Sequence, residues 1–308
     1  MVVDGEISNK PGPYSVILQQ SSPFGTSDFS PPPPSAVVSI SDNLGNAETL
    51  TYMGNGKFET NTTQGVIGRT YVLEIKLGDK KVYKSTPQTI KKPIPIDKIY
   101  TEYVPYKGYP NVFIGGEFHV YLDTIDPATT GDYYRWNYTN YDPIDYCLAT
   151  AQIKETGPDN RQYICCEPCW AVNYCVGCIY LGSDQYNNGK KINRQFIGKF
   201  PYNTVFSTFL QVEQKVLTKE NYIYWKEIDG QINNSGGIFD TPPANIHGNI
   251  YSETDSNEQV LGFFAATGIV TVPYRVEKKA DGFNPVIPSR LNFITQKECK
   301  PCVEGLYR

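Results

Sequence analysis

Eight cysteines are the densest chemical feature of this 308-residue chain, and all of them lie beyond residue 140: Cys147, Cys165, Cys166, Cys169, Cys175, Cys178, Cys299 and Cys302. Thiols at this density either join as disulfides in an oxidising compartment or hold a soft metal. Cys166-x-x-Cys169 and Cys175-x-x-Cys178 supply four sulfurs for a tetrahedral zinc ion, but only five residues separate the two pairs, where roughly 12 to 20 are usual. All eight are therefore read as disulfide partners of undetermined connectivity, with Cys166, Cys169, Cys175 and Cys178 as the metal alternative. A redox Cys-x-x-Cys belongs at a helix start in a βαβ setting, and the pattern around these pairs gives none.

The other groups able to do chemistry are few. His119 and His247 are the only histidines, which excludes a two-histidine zinc protease motif and leaves little for a Ser-His-Asp arrangement. His119 falls in an alternating strand, and His247 falls in a turn where a structural hydrogen bond is expected. Asp123 and Asp126 are spaced as a hydrolase carboxylate pair can be, and equally as an ordinary polar turn. The glycines match β-turns rather than a phosphate-cradling loop. The expectation is a non-catalytic protein without a cofactor. A secreted hydrolase using a carboxylate pair and a soft-metal-binding surface protein are the alternatives.

The elements that must position these groups centre on residues 205–268. Phe206, Thr208, Leu210, Val212, Gln214 and Val216 alternate with Phe209, Gln211, Glu213 and Lys215, the pleat of a strand buried on one face. Thr218 is an N-cap and Glu220 sits near the exposed first-turn amides, so a helix is expected over 218–234, stopped by Gly236-Gly237. Its stripe of Tyr222, Trp225, Ile228 and Ile232 is expected to pack into the core. The aromatic run Tyr133 to Tyr138 reads as a strand, with pleated packing expected and a tyrosine-lined groove as the alternative.

The first hundred residues carry about seven short strands. Gly68-x-x-Tyr71-x-Leu73-x-Ile75 resembles the tyrosine corner of immunoglobulin-like sandwiches, in which the phenol ties back to an earlier backbone group. Asp42, Asn43 and Asn46 lack the spacing of a calcium loop and read as an Asx turn. Pro31 to Pro34 mark a stiff surface loop. Lys91-Lys92-Pro93-Ile94-Pro95 breaks the strand pattern and marks a domain boundary. The expected fold is mostly β: an immunoglobulin-like β-sandwich over 1–94, then a larger β-rich, sandwich-like domain over 95–308 carrying the helix and a Cys-rich insertion at 142–195.

A formal charge of −4 and a pI near 5.4 give no basic footprint, so nucleic acid is excluded as an expected partner. The opening Met-Val-Val-Asp-Gly-Glu has neither a charged leader nor an apolar signal core.

Tyr224-Trp225, Gly237-Ile238-Phe239-Asp240, Pro242-Pro243, Ile246-His247-Gly248-Asn249-Ile250 and Val260-Leu261-Gly262-Phe263-Phe264 follow one another in an order that resembles a family of Bacteroidota outer-membrane lipoproteins, domain of unknown function 4249. Cys169-Trp170 and Cys299-x-x-Cys302 resemble cysteines of that family, while Cys165, Cys166, Cys175 and Cys178 resemble additions to it. The resemblance implies a cell-surface location and attachment through an N-terminal lipid that this chain does not contain. It also implies a SusC-like TonB-dependent outer-membrane transporter as partner, with a role in nutrient uptake and no established chemistry.

Overall fold

The computed structural model describes residues 1–20, 35–106, 116–144, 147–148, 164–165, 169–175, 177–202, 207–233, 246–276 and 306–307. The first stretch gives β1 (Val2–Ser8), β2 (Ser15–Gln19), β3 (Val37–Asp42), β4 (Ala47–Thr49), β5 (Thr51–Gly54), β6 (Lys57–Glu59), β7 (Thr70–Lys76), β8 (Val82–Ser85) and β9 (Gln88–Thr89). Then come β10 (Ile96–Pro105), β11 (Gly116–Ile125), β12 (Tyr133–Ile144), β13 (Cys147–Leu148), β14 (Ile164–Cys165), β15 (Cys169–Tyr174) and β16 (Tyr180–Ser183). The last group is β17 (Lys191–Pro201), β18 (Thr208–Leu217), helix α1 (Lys219–Asn233), β19 (Ile250–Ser252), β20 (Leu261–Val276) and β21 (Leu306–Tyr307). The described residues are mostly β with a single α-helix, as the alternating apolar pattern predicts.

One long sheet runs through the molecule in the order β21-β15-β12-β18-β20-β1-β2-β6-β5. Two smaller sheets cover it. The six-stranded sheet containing β19-β8-β7-β3-β4 closes a first core with Val3, Ile7, Val16, Leu18 and Phe58 on one side and Val38, Ile40, Tyr71, Leu73 and Ile75 on the other. The three-stranded sheet β10-β11-β17 closes a second core, in which Phe118, Val120, Leu122 and Phe200 meet Tyr134, Trp136, Tyr138, Leu210, Val212 and Val216. Packing of inward-facing side chains from two sheets is the sandwich arrangement.

Strand β20 joins the two cores. Its first half runs parallel to β1, from Val2 opposite Leu261 to Ser8 opposite Thr267. Its second half runs antiparallel to β18, from Gly268 opposite Val216 to Val276 opposite Thr208. At the changeover a Cβ on Gly268 would run into the Lys91 carbonyl, so glycine lets the crossing segment between the cores lie against the strand. Phe264 and Ala266 of β20 belong to the first core and Val276 to the second.

The tyrosine corner is present: the fully buried Tyr71 accepts a hydrogen bond at its phenol oxygen from the Val66 N–H at 2.9 Å. Asp42 accepts from the Leu44 and Asn46 amides at 2.9 and 3.0 Å and pairs with Arg69 at 2.9 Å, so its oxygens are occupied as the Asx-turn reading requires.

Helix α1 corrects one expectation. Thr218 caps it, with Oγ1 accepting from the Asn221 N–H at 3.2 Å, but the stripe does not enter a core. Asn221 is the only buried residue of the helix and Ile232 is 55% exposed. The helix instead lies on the outer face of the long sheet through ring contacts: Tyr222 on Tyr133, Tyr224 on Phe263, and Trp225 beneath the Arg135 guanidinium. Gly236 and Gly237, the proline loop at 31–34 and Phe206 lie outside the described residues.

Candidate functional site

Strand parity decides what the outer face of the long sheet displays. Val3 and Ile7 point into the first core and Tyr134 and Trp136 into the second, so Asp4, Glu6, Arg135, Glu213 and Lys215 take the opposite face. Backbone register sets these residues side by side, with Asp4 opposite Phe263, Glu6 opposite Ala265, Lys215 opposite Ile269 and Arg135 opposite Lys215. Helix α1 covers part of this face and leaves a cleft of about 550 Å³ between itself, β1 and the segment around Lys10 to Ser15. Strands from both sandwiches form its floor.

The charges in the cleft divide into satisfied and unsatisfied groups. Lys215 donates to both Glu6 oxygens at 3.0 and 2.7 Å, and Lys10 pairs with Glu213. Desolvation pushes the Glu6 carboxyl up, but the Lys215 charge and hydrogen bond more than offset it, and the pKa falls below the usual value. Asp4 has no ion-pair or side-chain hydrogen-bond partner among the described residues. The protein crowding around it and the neighbouring Glu6 charge raise its pKa. Arg135 stacks its guanidinium 3.4 Å from the centroid of Trp225, an attractive cation–π contact. Its Nε is buried without a hydrogen-bond partner among the described residues, and so is Oδ1 of Asn221, a residue 2% exposed on the cleft wall. Burial lowers the Arg135 pKa, yet a guanidinium stays charged.

The residues singled out from sequence do not gather here. Asp123 accepts from the Arg194 amide at 2.8 Å, whereas Asp126 is 2% exposed and accepts from the Tyr134 hydroxyl and, at 3.0 Å, from the Gly189 amide. They form two separate structural contacts. His119 Nε2 lies 2.8 Å from Glu117 Oε1. His247 is exposed and has no hydrogen-bond partner among the described residues. The structural atoms of that motif belong to its neighbours: a Cβ on Gly248 would strike the Gly262 carbonyl, and Asn249 binds the backbone of Phe264.

Cys175 and Cys178 are joined as a disulfide with a Cα–Cα separation of 5.5 Å, and sulfurs in that form are not thiolate ligands. The backbone register sets Cys147 opposite Cys165, and Cys169 begins β15, which lies between β12 and β21 in the long sheet. Cys166, Cys299 and Cys302 lie outside the described residues. Within 142–195, β15 and β16 both pair with β12, and β21 near the C-terminus adds to β15, with Trp170 opposite Tyr307. No cluster of three or more metal-ligating side chains occurs among the described residues.

Sequence reasoning missed the cleft because its floor depends on β1 lying beside β20, some 260 positions apart. The available signal was the placement of charge on the non-apolar parity of three strands: Asp4 and Glu6, Arg135, and Glu213 and Lys215. No curated protein matches the chain. Residues 1–271 match the family described as Domain of unknown function (DUF4249), and the chain belongs to that family.

Proposed function

We propose that this protein is a non-catalytic, lipid-anchored cell-surface accessory subunit of a SusC-like TonB-dependent outer-membrane transporter, and that it helps capture or admit the transporter's cargo. The resemblance of the helix-to-Asn249 region to Bacteroidota outer-membrane lipoproteins supports the location and the partner. The observation that supports a holding role is the cleft: a cavity of about 550 Å³ lined by Asp4 and Arg135, two opposite charges that have no ion-pair partner among the described residues. Its size falls within the roughly 300–1,000 Å³ of small-molecule sites. Glu6 is committed to Lys215, so Asp4 has no free carboxylate beside it with which to share acid and base roles. This favours binding over hydrolysis. The test is detergent extraction of the native outer membrane and affinity recovery of this chain with mass spectrometry. A TonB-dependent barrel protein should accompany it, and recovery without any barrel protein overturns the reading.

A further inference from the structure

We infer that the cleft takes a small zwitterion, an amino acid or short peptide with free ends, its ammonium on Asp4 and its carboxylate on the Arg135 guanidinium. This names the cargo class for the binding role proposed above and rests on that role.

The argument begins with what the cleft lacks. Its lining holds three acids, Asp4, Glu6 and Glu213, and three bases, Lys10, Arg135 and Lys215. Two of the three possible pairs are made, Glu6 with Lys215 and Glu213 with Lys10. The remaining charges, Asp4 and Arg135, form no ion pair with each other, although the Arg135 charge is near enough to lower the proton affinity of Asp4. An opposite pair that faces one cavity without touching is complementary to a ligand carrying both charges at a distance.

A simple anion would leave the Asp4 carboxylate unpaired, and a bare cation would leave the Arg135 guanidinium unpaired. Phe263, Tyr224 and Ile269 supply an apolar wall for a ligand side chain.

The probe is the dipeptide leucyl-phenylalanine, titrated calorimetrically into the purified chain beside its N-acetylated and C-amidated forms. The free dipeptide should bind, and blocking either end should weaken binding by about tenfold or more, the scale of one charge-assisted hydrogen bond. Asp4→Asn, at an exposed position, should abolish the preference for a free amine while keeping the preference for a free carboxylate. Arg135→Gln should do the converse. Absence of binding, equal affinity for all three forms, or an Asp4→Asn protein with the wild-type preference would overturn the inference. Docking is read separately by co-purification: a chain that binds the dipeptide without a barrel partner overturns only the transporter reading, and one that docks without binding the dipeptide overturns only this one.

Discussion

Asn249 does with one side chain what a neighbouring strand would do with its backbone: Nδ2 donates to the Phe264 carbonyl at 2.9 Å, and Oδ1 accepts from the Phe264 N–H at 2.8 Å. Asn9 repeats the arrangement on Ile269, at 3.0 and 2.6 Å. The two amides hold β20 on either side of Gly268, where its strand partner changes from β1 to β18. Asn249→Ala leaves a buried donor and acceptor without partners, and should lower the unfolding free energy by about 2–4 kcal/mol. Urea denaturation at neutral pH measures it.

Two glycine substitutions should move stability in opposite directions. Gly268→Ala places a methyl against the Lys91 carbonyl and should cost on the order of 1–3 kcal/mol through overpacking. Gly230 lies inside α1 with open space around its Cβ position, so Gly230→Ala should stabilise by about 0.5–1 kcal/mol. A thermal melt of each single variant decides both.

Glu48 governs part of the acid response. Its Oε1 accepts from the Asn61 and Thr62 amides at 2.6 and 3.0 Å, and its Oε2 from the Thr63 amide at 2.6 Å. Partial burial pushes this carboxyl up, but the Thr63 side chain and the three amides more than offset it, and the pKa falls from 4.5 to about 2. A folded pKa below the unfolded one means that the contribution is complete above about 4.5 and is lost as pH falls toward 2. Because the group is only partly buried and solvent screens it, the contribution should be about 1 kcal/mol. Glu48→Gln should flatten the stability profile across that window, lowering stability by about that amount at pH 6–8 and converging with the wild type as pH falls toward 2.

Thr218 ties the helix to the first sandwich, accepting from the Asn221 amide and donating to Gln88 Oε1 at 2.8 Å. Gln88 in turn donates to Glu220 at 2.7 Å. Thr218→Ala should cost about 1 kcal/mol, the usual value of an N-cap. Faster amide hydrogen exchange should appear in the first turn of α1, while β18 keeps its protection.

Periodicity made much of the fold legible. The buried parity of β18 is the one read from Thr208, Leu210, Val212, Gln214 and Val216, and even polar Gln214 is buried there because it accepts from the Trp136 indole and donates to the Ile94 carbonyl. Tyr71 was readable because its corner is local in sequence. The placement of α1 was not. Tyr222 and Trp225 satisfy a core stripe and a surface stripe equally well in sequence, and the choice depended on Tyr133 and Arg135 standing on the outward parity of β12. His247 drew notice as a titratable group, whereas the atoms that matter there belong to the less reactive Gly248 and Asn249.

The parallel alignment of β1 with the first half of β20 bears on the order in which the molecule can form. A nascent chain that has emerged only as far as residue 94 holds most of the apolar side chains of its first core, but lacks Ile250, Val260, Phe264 and Ala266, which complete it. Pairing the first strand with one near the far end imposes a large loop-closure cost and slows assembly. The amino-terminal sandwich should therefore be among the last parts to consolidate, and a fragment ending at residue 94 should expose the β20-facing edge of β1 to other chains.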